Sequence, residues 1–139
     1  MKPLDAALHE LVLQWLEKAA ADLGAAEQLS AEPCAFREIV AFHCQQAAEK
    51  YLKAFLVCRQ IEFPRTHDIA LLLDRVAVAD VALAESLQEA DTLTPFGVET
   101  RYPGDAPEIP AGGEIEALGI ARRVGDRVLS SLQPYLRTE

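Results

Sequence analysis

Residues 34–60 contain the pattern that most constrains how this chain can fold. Apolar residues recur there every three or four positions, which predicts a helix, and they fill two adjoining helical faces instead of one. The main stripe is Phe36, Val40, Cys44, Ala47, Tyr51, Phe55 and Cys58, and the adjoining face carries Ala41, Ala48, Leu52 and Leu56. A helix with this much apolar surface either lies at the centre of a bundle or buries its second face against another chain.

The rest of this predicted helix is one polar wedge. In angular order it holds Gln45, Glu49, Lys53, Gln46, Lys50 and His43. His43, Gln46 and Lys50 follow an i, i+3, i+7 spacing and therefore line one edge of the wedge. This edge can contact a phosphate or a base, with His43 exchanging a proton near neutral pH. Alternatively, the glutamines bond between helices or across a dimer seam, Lys50 is solvated, and the i, i+4 pair of Glu49 and Lys53 decorates the surface.

Periodic patterns predict four further helices, over residues 5–29, after a linker at 61–65, over 80–93 and over 114–132. Asp5 is the expected cap of the first helix, and either Thr66 or Asp68 caps the short third one. Pro33 suits the first turn of the second helix, and Pro134 is expected to end the last. The sequence therefore predicts one all-α domain over residues 1–139, an antiparallel up-and-down four-helix bundle with a short additional helix.

Residues 94–113 break the helical pattern. They contain four prolines and four glycines, which predicts a long surface loop, a place where function is often found. Arg101 is the only basic residue in the segment 80–116, whose net charge is −8. A guanidinium in such a loop suits a phosphate and a carboxylate equally well, so a phosphate contact and a structural salt bridge both remain open.

Charge and composition exclude several classes of protein. The net charge of −9 argues against an autonomous, broadly basic nucleic-acid binder, and what positive charge there is lies on the second and last predicted helices. Three scattered histidines and the absence of metal or nucleotide-loop motifs predict no metal site and no cofactor. Cys34, Cys44 and Cys58 read as buried free thiols. Without a signal peptide or a membrane-spanning run, the expected location is the cytoplasm.

A string at residues 42–56 carries a family resemblance. The residues FHCQQAAEKYLKAFL resemble the signature of the HEPN domain, the nucleotide-binding domain of higher eukaryotes and prokaryotes. Three further elements agree in order: Trp15 followed by Ala21-Asp22-Leu23, Thr66-His67-Asp68-Ile69, and Thr100-Arg101-Tyr102-Pro103. The resemblance spans nearly the whole chain. It implies a homodimer associated with a nucleotide or RNA, acting with a minimal nucleotidyltransferase partner as a toxin–antitoxin pair.

The resemblance also implies roles for particular residues. Metal-independent RNases of the family carry an arginine followed four to six residues later by a histidine. Arg101 matches the arginine and is the catalytic candidate, but no histidine follows it at that spacing, which argues against RNase activity. Arg37 and His43 match the spacing by count but lie about 120° apart around the second helix. Tyr102 is the candidate for modification by the partner.

The candidate nucleotide- or RNA-binding residues are His43, Gln46, Lys50, Arg101 and Tyr102. His67 and Asp68 are expected either to fix the turn before the third helix, through bonds to neighbouring backbone and the helix dipole, or to belong to the site. The alternative function is a non-catalytic dimeric interaction or scaffold protein, which the acidic charge balance and the missing histidine favour.

Overall fold

The computed structural model describes residues 4–97 and 108–136, and all regular structure in these two ranges is helical. The elements in chain order are α1 (Ala6–Leu29), α2 (Arg37–Cys58), α3 (Ile69–Ala79), α4 (Val81–Ser86), a 3-10 helix (Gln88–Phe96) and α5 (Gly113–Leu136). The prediction of an all-α bundle is confirmed. None of the described helices is both long and apolar enough to cross a membrane.

Helix α2 lies at the centre of the bundle. It packs against α1 and α5 on its two long sides and against α3 and the 3-10 helix on the third. Both predicted apolar faces are buried from Val40 to Cys58, and Gly125 of α5 lies so close to the Tyr51 ring that an added Cβ would be 2.9 Å from Cε2. The second apolar face of α2 is therefore covered within the same chain and does not require a partner.

Aspartates begin three of the helices. Asp5 accepts the Leu8 N–H at 2.8 Å, and Asp80 accepts the Leu83 N–H at 3.0 Å. Asp68 accepts the N–H groups of the first turn of α3, which confirms it as the cap of that helix. These caps satisfy backbone donors that have no partner inside the helix.

The start of α2 differs from the prediction. Pro33 lies in the loop before the helix instead of in its first turn, and α2 begins at Arg37. The Cys34 thiol donates to the Leu29 carbonyl oxygen at 3.4 Å, so the chain first folds back over the end of α1. Phe36 consequently lies outside the core, about half exposed, although the apolar stripe had placed it inside.

Two other predicted helices have different ends. The single helix expected over 80–93 is divided into α4 and the 3-10 helix. The side chains of Ser86 and Thr92 each donate to the carbonyl three residues earlier, local bonds that compete with a continuous α-helix. Helix α5 continues through Pro134 to Leu136, because a proline near the end removes few helical bonds while Tyr135 still packs on the core.

Candidate functional site

The polar wedge of α2 is not a solvated face. Helix α1 covers one edge of it, and the linker before α3 covers the other. The six side chains of the wedge are divided between two clusters. Each cluster contains a carboxylate, a histidine and a lysine, and some of these groups come from other parts of the chain. We call them the Asp22 cluster and the Glu49 cluster, after the carboxylate in each.

The Asp22 cluster joins α1 to α2. Asp22 Oδ1 accepts the His43 Nδ1–H at 2.9 Å, and Oδ2 accepts the Lys50 ammonium at 2.5 Å. All three side chains are partly buried: 14% of Asp22, 27% of His43 and 22% of Lys50 remain exposed. Lys50 is therefore an ion-pair partner and not the solvated lysine of the alternative interpretation.

The Glu49 cluster joins α2 to the linker before α3. Glu49 Oε1 accepts the His67 Nδ1–H at 2.7 Å, and Oε2 accepts the Lys53 ammonium at 3.0 Å. Only 4% of the Glu49 side chain and 9% of Lys53 are exposed, whereas 59% of His67 is. The prediction that Glu49 and Lys53 form a surface pair was wrong, because the linker with Phe63, together with Trp15 of α1, covers them.

Two glutamines complete the Glu49 cluster. Gln45 is fully buried, and its amide nitrogen donates at 3.1 Å both to Glu49 Oε1 and to the His67 carbonyl oxygen. Its amide oxygen accepts from the Gln46 side chain at 2.7 Å. Every hydrogen-bonding group of the buried Gln45 amide thus has a partner, as burial demands.

The same cluster fixes two neighbouring segments. The Lys53 ammonium lies 5.7 Å from the centroid of the Trp15 ring and 5.9 Å from that of Phe63, a distance at which the ring face attracts a cation. Gly97 packs on the Gln45 amide so tightly that an added Cβ would be 2.3 Å from the amide carbon. The network therefore ties α1, the linker and the end of the 3-10 helix to α2.

These contacts determine what the histidines can do. A carboxylate only accepts hydrogen bonds, so the ring proton of His67 lies on Nδ1 and Nε2 is free of the cluster. His43 is oriented in the same way by Asp22. The expected bond from the His67 ring to neighbouring backbone is not observed; its partner is Glu49, and only its carbonyl oxygen takes part in fixing the turn, through Gln45.

The sequence missed the carboxylates that organise both clusters. His43, Gln46 and Lys50 do line one edge of the wedge, but Lys50 is held by Asp22 and Gln46 by Gln45. Asp22 was part of the family string and Glu49 part of the wedge, yet neither was assigned to a site. No local signal pairs Asp22 with a residue 21 positions away. Arg101 and Tyr102 lie outside the described residues.

A third polar feature lies where α2 and α5 begin. Arg37 Nε and Glu114 Oε2 are 3.7 Å apart, and neither atom has a hydrogen-bond partner although both are buried. Beside them an open cavity of about 440 Å³ is lined by Phe36, Ile39 and Ile109, among others. The neighbouring surface is apolar, since Phe36, Ile39 and Ile115 are each about half exposed.

The cysteines carry no site within the described ranges. Burial raises the pKa of the Cys44 thiol to about 12 and that of Cys58 to about 11, so both are neutral and unreactive near neutral pH. Cys34 is half buried, which departs from the expectation that all three thiols are buried. Among the residues described, no group of three or more histidine, cysteine or acidic side chains is arranged to hold a metal ion.

The class of protein is an all-helical bundle whose central helix carries two ionisable clusters, one covered by α1 and the other by the linker before α3. Within that class, the model of the HEPN domain family matches residues 12–130. The chain belongs to the HEPN domain family.

A comparison with solved structures supports this membership. The crystal structure of TT1696 from Thermus thermophilus is similar to this chain, with 31% sequence identity and a TM-score of 0.67. The match covers 87% of this chain and 98% of the Thermus chain. None of the curated proteins with which the chain was compared matches it.

Proposed function

We propose that this HEPN domain binds a nucleotide or RNA and acts with a minimal nucleotidyltransferase partner as a toxin–antitoxin pair. The observation that carries the proposal is the polar face of α2, at which His43 of α2 and His67 from the segment before α3 are each oriented by a carboxylate that also binds a lysine. In a chain of net charge −9, this face concentrates the groups that can receive a phosphate. Family membership supports the same ligand class.

His43, Gln46 and Lys50 form one edge of the proposed binding face. Lys50 and His43 share Asp22, so these two groups and the carboxylate together carry a single positive charge when the imidazole is protonated. That positive charge favours the binding of an anion. Asp22 does not repel the anion, because its own charge is paired. Arg101 and Tyr102, outside the described residues, are proposed as further contacts on the strength of the sequence resemblance.

Binding is tested by titrating the purified protein with a short fluorescent RNA and with nucleotides at low salt. Replacing Lys50 by alanine is expected to weaken RNA binding several-fold, because one phosphate contact is lost and Asp22 is left without its ammonium. The exposed Lys18→Ala variant of α1 removes the same charge from outside the proposed face and serves as the matched control. Equal loss in both variants would contradict the assignment of this face.

RNA cleavage is a separate question, because the arginine motif lacks its histidine. The assay incubates the protein and its Arg101→Ala variant with a mixed RNA pool, with and without a chelator. Metal-independent cleavage that the variant abolishes would assign Arg101 a catalytic role. Cleavage that persists unchanged in the variant would remove that role, and no cleavage by either protein would leave binding as the activity.

The proposed partner can be tested through Tyr102. A minimal nucleotidyltransferase transfers a nucleotidyl group from a nucleoside triphosphate to a hydroxyl and releases pyrophosphate. Incubating both proteins with ATP should therefore raise the mass of this chain by one or more nucleotidyl groups, and Tyr102→Phe should not be modified. Modification of the phenylalanine variant to the same extent would exclude Tyr102.

A dimeric scaffold is the second candidate function. The exposed apolar residues Phe36, Ile39 and Ile115, beside the 440 Å³ cavity, favour it. Because α2 is covered within its own chain, a homodimer seam would use this end of the bundle in place of the second face of α2. Sedimentation at micromolar concentration tests the dimer, and an Ile39→Ser variant that sediments like the parent protein would argue against this seam.

A further inference from the structure

We propose that His67, held in place by Glu49, is a further residue through which this protein contacts a nucleotide phosphate. The inference rests on the proposed nucleotide or RNA binding and names the contact. Three observations carry it: the direction in which the ring is fixed, the charge balance of the Glu49 cluster, and the contrast between a buried carboxylate and an exposed imidazole.

The ring is fixed from inside the protein. Glu49 is 4% exposed and is itself held by three donors, so its position is set by the core of the bundle. Its bond to Nδ1 and the bond from Gln45 to the His67 carbonyl oxygen restrain the residue at two points. Ligands that bind a pre-oriented group lose less side-chain entropy than ligands that must order it.

The charges leave the cluster suited to an anion. Lys53 lies 3.0 Å from Glu49 and balances its charge, so the carboxylate can orient the imidazole without repelling a phosphate. Protonation of His67 then gives the cluster a net charge of +1. The linker itself adds no net charge, because the exposed Arg65 and the exposed Glu62 balance each other.

The backbone at the start of α3 is not available for the same role. The Ala70 and Leu71 N–H groups donate to Asp68, and the Ile69 N–H donates to the Thr94 hydroxyl. These N–H groups are therefore not available to a phosphate. The linker and the elements beside it also carry acidic groups, which are Glu62, Asp68, Asp74, Glu89 and Asp91. Of the two histidines oriented by a carboxylate, His67 is the more exposed, at 59% against 27% for His43.

The geometry of the ring also determines which of its forms can donate to a phosphate. Because Nδ1 keeps its proton on Glu49, a neutral ring offers only a lone pair at Nε2, which repels a phosphate oxygen. A protonated ring donates from Nε2. The phosphate contact therefore requires the ring form that carries a proton on Nε2.

The experiment follows the ring signals of all three histidines by NMR during titrations with oligoadenylate, ATP and inorganic phosphate. Saturable shifts of His67, with an affinity that falls about tenfold or more in His67→Ala, support the proposal. His67→Gln, which keeps a side-chain N–H donor, should retain part of the affinity. His9→Ala, near the start of α1, is the matched control, and dispersed spectra of each variant establish that it is folded.

Three results would overturn the proposal. In the free protein, a neutral His67 ring with its proton on Nε2 would contradict the orientation by Glu49. RNA or ATP binding that leaves the His67 signals and the affinity of His67→Ala unchanged would remove His67 while leaving the proposed function intact. No binding of any probe would reject both. Whether oligoadenylate or ATP gives the larger shift identifies the source of the phosphate.

Discussion

The Asp22 cluster and the Glu49 cluster contain the same three kinds of side chain but bury different members. In the Asp22 cluster all three groups are partly exposed, and the histidine retains 27% of its surface. In the Glu49 cluster the carboxylate and lysine are almost fully buried, and the histidine is 59% exposed. The difference lies in the cover: α1 lies along the first, whereas the linker, Trp15 and Phe63 close over the second.

This contrast teaches that burial decides which member of a cluster is structural. A buried ion pair must be kept together, because removing one partner leaves an uncompensated charge in a medium of low polarity. An exposed pair is solvated and screened, and either partner can be lost at little cost. The Glu49–Lys53 pair is thus part of the core, His67 is its outward-facing extension, and the Asp22 cluster is an intermediate case.

The largest effect should come from removing the two carboxylates in turn. Glu49→Ala leaves the buried Lys53 ammonium unpaired and should lower the free energy of unfolding by about 3–5 kcal/mol. Asp22→Ala should lower it by about 1 kcal/mol, because its partners remain partly solvated. Urea unfolding measures both. Equal losses would show that the difference in burial has no energetic consequence.

Thiol labelling also tests the difference in burial between the two clusters, through cysteines on the apolar faces of α2. At about pH 8, Cys34 should react roughly a hundredfold faster than Cys44 and Cys58, whose raised pKa values of about 12 and 11 keep them protonated. Glu49→Ala should reduce the difference in labelling rate between Cys34 and the two buried thiols. Asp22→Ala should leave most of that difference. Fast labelling of all three thiols in the parent protein would contradict a closed core around α2.

The raised thiol pKa values also fix the sign of a stability change with pH. Burial raises the pKa in the folded state above the unfolded value of about 8.5, so the thiols stabilise the fold fully below that value. This contribution is lost as the pH rises toward about 11 to 12. Alkaline unfolding curves should show it, and a Cys44→Ala variant should lose part of the dependence.

A smaller effect is expected where the chain packs on the Glu49 cluster. Gly97→Ala would place a methyl group against the buried, fully bonded Gln45 amide and should cost about 1–3 kcal/mol. Gly119→Ala in α5 meets nothing within 4 Å and should stabilise by up to about 1 kcal/mol. Thermal unfolding distinguishes the two, and a tolerated Gly97→Ala would indicate that Gln45 can move.

The smallest effect sets the baseline for exposed pairs. Arg122 of α5 lies 3.7 Å from Glu27 of α1, and both side chains are about half exposed. Arg122→Ala should change the free energy of unfolding by less than about 0.5 kcal/mol. A loss as large as that of Asp22→Ala would mean that partial burial does not strengthen the Asp22 cluster.

Much of the fold could be predicted because it depends on local patterns. The apolar spacing of α2 and the capping positions of Asp5 and Asp68 depend on residues within a few positions of each other. The helix boundaries that were predicted wrongly are set by packing between residues far apart in the chain. Tyr135 packs on the core and extends α5 past Pro134, and Cys34 bonds to the end of α1.

The clusters show the same limit at the site. Helical spacing placed His43, Gln46 and Lys50 on one edge of α2, but the partner of His43 and Lys50 comes from α1 and that of Glu49 from the linker. Six polar side chains in a wedge give the same sequence pattern whether the wedge is covered by water or by another helix. The cover depends on contacts between residues far apart in the chain.

The sequence by itself determined that this chain is a helical bundle with α2 too apolar to stand alone, because side chains on one helix are related by a fixed turn angle. Only the tertiary structure decided that α2 is covered within its own chain, that Glu49 and Lys53 are core residues, and that His67 faces outward from them. Burial is a property of the assembled bundle. It is the burial of Glu49 that fixes the exposed His67 ring in one orientation.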